Sequence, residues 1–154
     1  MAGILVLNVR GTLNIPHPVR RTLELLNLRR RHRATIVPDT PEYLGMLKRA
    51  KDYIAWYPIT PELATKLLKL RGRAVGNRPI TEDDLKRLGF KDFKELGKAL
   101  ADGRVQLNRL DGIKPSFALN SPRGGYKKPI QRPYGKGGVL GENPMLLKLV
   151  EAML

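Results

Sequence analysis

A chain of 154 residues with 29 lysines and arginines against 14 aspartates and glutamates carries a net charge of +15 and a pI near 10.5. That is well beyond the charge that solubility alone asks of a small domain. The absence of cysteine excludes disulfides, thiolate metal sites and thiol nucleophiles. No apolar run approaches the ~20 residues a bilayer-spanning helix needs, and the opening MAGILVLNVRG lacks the basic leading region of a secretory signal, so a soluble protein is expected.

The excess charge is not confined to a tail. Residues 1–58 hold ten basic against four acidic residues, residues 59–118 thirteen against eight, and residues 119–154 six against two. Positive charge carried by every part of a chain with regular folding patterns points to an extended nucleic-acid surface.

In chain order, Gly3 to Val9 is nearly continuous in Ile, Val and Leu and predicts a strand covered on at least one face, broken by Gly11. Pro18 suits a first helical position, and Val19, Leu23 and Leu26 follow at helical spacing, with Arg20 and Glu24 as an i,i+4 pair. Ala34 to Pro38 predicts a second strand. Pro38-Asp39-Thr40-Pro41-Glu42 announces a helix with Tyr43, Leu47 and Ala50 on its inner face. Tyr53 to Tyr57 predicts a third strand that ends at Pro58.

Thr60-Pro61-Glu62 opens a further helix that buries Leu63, Leu67 and Leu70 and stops at Gly72. Another starts at Thr81, with Glu82, Asp83 and Asp84 against its positive end, and ends at Gly89. The next carries Phe93, Leu96 and Leu100, with Gly103 as its stop. Ile113 to Leu119 predicts a strand in which Phe117 and Leu119 alternate around Ala118. Ser121 to Gly141, SPRGGYKKPIQRPYGKGGVLG, has five basic residues, no acid, and enough Gly and Pro to preclude regular structure. Asn143-Pro144 caps a last helix carrying Leu146, Leu149, Val150 and Met153, which docks on the body and makes the basic segment a tethered loop. Three parts are therefore expected: a strand-helix-strand-helix-strand core over 1–58, a mainly helical insertion over 59–112, and a strand, basic loop and closing helix over 113–154.

The candidate contacts to a polyanion fall into groups. Arg29, Arg30, Arg31 and Arg33 lie where a helix ends and a strand begins, beside Arg20 and Arg21, and repel one another without a partner. Guanidinium forks bridge phosphate oxygens, which suits this all-arginine cluster. Arg10 closes the first strand, and Lys48 and Arg49 lie on the second helix. In the later loop are Arg123, Lys127, Lys128, Arg132 and Lys136. There Gly124 and Gly125 permit close backbone approach to RNA, and Tyr126 or Tyr134 offers a ring for stacking. Trp56 and Tyr57 read as core or sheet-edge residues. His17 and His32 have no carboxylate at metal-ligand spacing, and Gly135-Lys136-Gly137-Gly138 lacks the order of a phosphate-binding P-loop. No catalytic constellation, metal site or cofactor motif emerges. The competing reading is a DNA-binding regulator that uses the helices over 81–102 as a helix-turn-helix, although Asp92 and Glu95 at the start of its second helix would repel phosphate.

Several words recur in one order. They are the strand ending Val9-Arg10-Gly11, the helix leading into Leu28-Arg29-Arg30, Pro38-Asp39-Thr40-Pro41 followed by Gly45-Met46-Leu47, then Asn120-Ser121-Pro122-Arg123-Gly124-Gly125-Tyr126 and Gly137-Gly138-Val139-Leu140-Gly141-Glu142-Asn143. In these the chain resembles the large-subunit ribosomal protein family conventionally numbered L-thirty, in its longer archaeal form, which is related to the eukaryotic L-seven family. The eukaryotic basic N-terminal extension is not among them. The resemblance implies an α+β fold with a three-stranded antiparallel sheet and two helices on one face, half of a ferredoxin-like arrangement. The residues alone leave parallel crossovers open. It also implies binding to 23S rRNA and, in the long forms, 5S rRNA beside other large-subunit ribosomal proteins, with no membrane or small-molecule substrate.

Overall fold

The computed structural model describes residues 3–154. Strand β1 (Gly3–Asn8) is central. It pairs antiparallel with β2 (Arg33–Pro38) on one side and with β3 (Ile54–Pro58) on the other. The connections are helices α1 (His17–Leu25) and α2 (Pro41–Arg49), so the antiparallel core and its two helices follow the resemblance.

The sheet is nonetheless five-stranded and mixed, in the order β4-β2-β1-β3-β5, which corrects the expected three antiparallel strands. β4 (Phe117–Ala118) adds antiparallel to β2, and β5 (Gly141–Glu142) adds parallel to β3. Each is two residues long, too short to leave a period in the sequence, and each is fixed by the neighbouring strand's free backbone groups. The strand expected over 113–119 is thus reduced to two residues.

Both faces of the sheet are covered. Ile4, Val6, Val37 and Ile54 pack with Leu23 of α1, Leu26 just after it and Leu47 of α2. The alternate residues Leu5, Leu7, Ile36 and Ala55 pack on the opposite face against α3 (Pro61–Arg71), α5 (Phe93–Ala101) and α6 (Leu146–Met153). Burial on two sides explains why β1 reads as a continuous apolar run rather than an alternating one. The helices expected after Gly72 are α4 (Glu82–Arg87) and α5, and the insertion therefore supplies the second face of the same sheet.

Helix ends follow local chemistry. Thr40 and Thr60 accept from the N–H groups of Tyr43 and Leu63 at 3.4 and 3.3 Å, and Asp92 accepts from that of Glu95 at 2.8 Å. α1 ends in a Schellman motif. Asn27 sits at φ 61°, its N–H bonds to Glu24 at 3.1 Å, and that of Leu28 bonds to Leu23 at 2.8 Å. Glu24 pairs with Arg21 at 3.8 Å, rather than with Arg20 as the spacing suggested. In α3, Leu68 is buried and Leu70 is 55 % exposed, which corrects the inner face by two positions. α3 and α5 meet at Gly97, where a Cβ would lie 2.9 Å from the Thr65 backbone nitrogen, so this close approach favours glycine.

Asp84, 4 % exposed, organises the loop before α4. Arg78 donates two bonds of 2.9 Å to it, Thr81 donates its N–H and hydroxyl at 3.0 Å, and Arg87 also pairs with it. Above all the Arg78 bond, then that from the Thr81 N–H, holds the carboxyl well below the usual range. The sequence assigned this residue to the helix dipole alone. Its larger role is to hold the loop between Gly72 and α4.

Candidate nucleic-acid interface

The end of β1 sets the arginine cluster. Asn8 is fully buried. Its Nδ2 donates to the Leu28 carbonyl at 2.8 Å, its Oδ1 accepts from the Gly11 N–H at 2.8 Å, and its carbonyl accepts from the His32 N–H at 2.9 Å. One residue, through its side chain and its backbone carbonyl, thereby ties the end of α1 and the turn after β1 to the base of the cluster. Sequence reasoning passed over Asn8 as part of an apolar strand; the signal available was one amide in an otherwise apolar run. Asn8→Leu would leave the Leu28 carbonyl and the Gly11 N–H unpaired and is expected to cost about 2–4 kcal/mol. A lower urea midpoint with an unchanged m value would show it.

His32 sits at φ 64°, and this left-handed turn separates Arg29, Arg30 and Arg31, which are exposed, from half-buried Arg33. Arg31 Nε donates to the Val9 carbonyl at 3.1 Å, and Arg33 Nη1 to Ser116 Oγ at 3.3 Å. Arg29, Arg30, Arg33 and Lys114 line an open cleft of ≈ 430 Å³ with Asn27, Pro115 and Ser116. Lys114 escaped the sequence reading because it is isolated in the chain and joins the cluster only across β2 and β4.

The remaining residues of the first part are arranged around this end. Arg20 Nη2 donates to the Thr12 carbonyl at 3.0 Å, and the Thr12 hydroxyl donates to the Arg29 carbonyl at 3.0 Å. Arg21 is exposed and paired with Glu24. Arg10 donates to the Asp52 carbonyl at 3.1 Å and lies 4.9 Å from the Tyr53 ring centroid. Lys48 and Arg49 are exposed in the last turn of α2, just before β3 begins. Trp56 and Tyr57 are half-buried flanks of the two opposite core faces.

The basic loop is tethered at both ends of its course. Leu119 N–H bonds to the His32 carbonyl at 3.1 Å, and Asn143 N–H bonds to the Trp56 carbonyl at 3.1 Å. β4 borders the start of β2 and β5 the start of β3, both beside the end of β1. The loop therefore crosses from one sheet edge to the other at the same end that carries the arginine cluster. Arg123, Gly124, Gly125, Lys127, Lys128, Arg132 and Lys136 are all exposed along this crossing. Gly124 and Gly125 are left-handed, at φ 76° and 74°, a pair of consecutive values that side chains rarely permit. Regular structure is not wholly precluded: Tyr134–Lys136 forms a 3-10 turn, closed by the Lys136 N–H to the Pro133 carbonyl at 3.0 Å and the Gly137 N–H to the Tyr134 carbonyl at 3.1 Å.

Tyr126 joins the two clusters. Its ring stacks on His32 with centroids 6.0 Å apart and an interplanar angle of 17°, and its hydroxyl lies 3.0 Å from His32 Nδ1. The tyrosine is thereby held against a histidine 94 residues away in sequence. Burial pushes the Tyr126 hydroxyl up to about 12, so it keeps its proton. Burial, then the Arg31 charge, pushes His32 down from its ordinary value, which favours the neutral ring. Among the described residues no group of acidic, histidine or cysteine side chains is placed to hold a metal, and no helix is long and apolar enough to cross a membrane.

The sequence profile of the family described as Ribosomal protein L30p/L7e matches residues 4–54, from β1 through α2 to the first residue of β3. Similarity to curated proteins extends over the whole chain. The chain is 43 % identical to the large ribosomal subunit protein uL30 of Cenarchaeum symbiosum, over 100 % of both chains. It is 39 % identical to that of Nitrosopumilus maritimus, over 99 % of this chain and 98 % of the relative. For Archaeoglobus fulgidus uL30 the figures are 38 %, 94 % and 97 %. Matches of this extent, on a fold whose basic clusters share one end, show that the chain belongs to the L30p/L7e family of ribosomal proteins, structural and non-enzymatic components of the large subunit.

Proposed function

We propose that this chain stabilises the large ribosomal subunit by binding 23S rRNA, and 5S rRNA as well, through the basic end of its sheet. The observation that carries the reading is the His32–Tyr126 contact, which makes one surface of the arginine cluster and the 121–138 loop. That surface is wide, all-cationic in its exposed loop and built from backbone turns. Double-helical RNA buries its base edges in a deep, narrow groove, so contacts fall on phosphates, riboses and helix shape. Neighbouring large-subunit proteins are the expected protein partners.

The DNA-binding alternative needs a free recognition helix. α5 is instead buried at Leu96, Gly97, Ala99, Leu100 and Ala101, and the Glu95 carboxylate at its start accepts from the Lys91 N–H at 2.9 Å.

The test is binding of the full chain to 5S rRNA, to 23S rRNA fragments and to a DNA duplex across a salt series. Tighter binding to particular rRNA elements than to DNA at every salt concentration is the expected result. Equal affinity for all of them, with one common slope, would reduce the protein to a general polycation and sink the reading.

A further inference from the structure

A second concave feature lies between the basic loop and α6. It encloses ≈ 350 Å³, within the range that holds a small ligand. Its walls are Tyr134, Val139, Met145 and Leu149, and its rim carries Arg123, Lys127, Lys128 and Lys148; no carboxylate lines it. Met145 is 45 % exposed there, one of the few large apolar side chains left open to solvent. Tyr126, which also stacks on His32, forms part of the lining, so the pocket is continuous with the basic end of the sheet.

We propose that this pocket takes a single nucleotide extruded from the bound RNA, with the base between Tyr134, Met145 and Leu149 and its phosphate among the rim cations. The inference rests on the RNA-binding reading above. Charge complementarity chooses the occupant. An apolar side chain of a protein partner would fill the walls but leave four cations without purpose, whereas a nucleotide joins a flat, largely apolar ring to an anion. Lys128 Nζ lies 5.0 Å from the Tyr134 ring centroid. That contact at an exposed site is weak, and a phosphate at the mouth would draw the ammonium off the ring as the base replaces it.

The floor decides selectivity. Asn143 is buried, yet its Nδ2 already donates to the Val139 carbonyl at 3.2 Å and its Oδ1 accepts from the Met145 N–H at 2.9 Å. No buried side-chain polar atom among the described residues lacks a partner. The buried amide is thus held in place by its own backbone neighbours, and recognition is by stacking and shape.

The test uses the full chain with an RNA duplex carrying one bulged 2-aminopurine, the same duplex with an abasic bulge, and the unbulged duplex. The base-bearing bulge is expected to bind about tenfold tighter than the abasic one, as stacking of one base supplies, with its fluorescence altered on binding. Adenine, guanine and uracil bulges should agree within about threefold. Met145→Trp, which fills the pocket without changing charge, and Tyr134→Ala, which removes a wall, should each abolish the base-dependent gain and leave the salt slope unchanged. Equal binding of base and abasic bulges, or a gain that survives both variants, would overturn the nucleotide assignment while leaving RNA binding intact. Failure of every RNA to bind would instead overturn the functional reading on which it rests.

Discussion

Replacement of Arg29, Arg30 and Arg31 together by alanine is expected to weaken binding to large-subunit rRNA about a hundredfold near ~0.1 M salt. Each phosphate contact contributes ~0.7–0.9 to the magnitude of the slope of log affinity against log salt, so three lost contacts remove about 2–3 from it. The effect should be one of binding rather than folding, because all three side chains are exposed and only Arg31 is tied to the body, through the Val9 carbonyl at 3.1 Å. A melting temperature within about 3 °C of the parent is therefore expected. Arg33 is left out of the variant because its bond to Ser116 helps seat β4. An unchanged slope in the variant would remove the arginine cluster from the interface.

Leu146→Ala at the start of α6 is expected to cost about 2–5 kcal/mol, the range for emptying a fully buried leucine position. Leu146, Val150 and Met153 are all 0 % exposed. Removal of residues 144–154 should be more severe and should reach RNA binding as well. The carbonyls of Met153 and Ala152 accept from the N–H groups of Asn120 and Arg123 at 3.0 and 3.2 Å, so α6 holds the first turn of the basic loop. Thermal melts and salt series on both variants separate the two effects: the point substitution lowers stability with its slope intact, whereas the truncation loses both. A truncated protein with full stability that no longer associates with the ribosome would show that α6 serves a partner instead of this fold.

The sequence by itself determined most of the local structure. The proline- and threonine-marked starts at Pro18, Thr40-Pro41 and Thr60-Pro61 lie at helices, because a cap depends on neighbours within three or four residues. The apolar run Gly3 to Val9 gave the central strand, and the order of short motifs gave the family. Arginine density marked Arg29 to Arg33 and the run from Arg123 to Lys136 as the two basic clusters, since charge is legible without a fold.

What only the tertiary structure decided is that these clusters form one surface. β4 and β5 are two residues each and carry no periodic signal; they exist because the free edges of β2 and β3 accept them, which places the loop across one end of the sheet. The same distance in sequence hid Asn8, two of whose partners are 20 and 24 residues away, and hid the pairing of His32 with Tyr126. Lys114 and Lys148, unremarkable as single cations in the chain, join the basic surface only through the cleft beside β4 and the pocket beside α6. Local chemistry depends on spacing along the backbone, whereas a surface depends on sheet register, and register is fixed by long-range hydrogen bonds and by the two apolar faces that the sheet must bury.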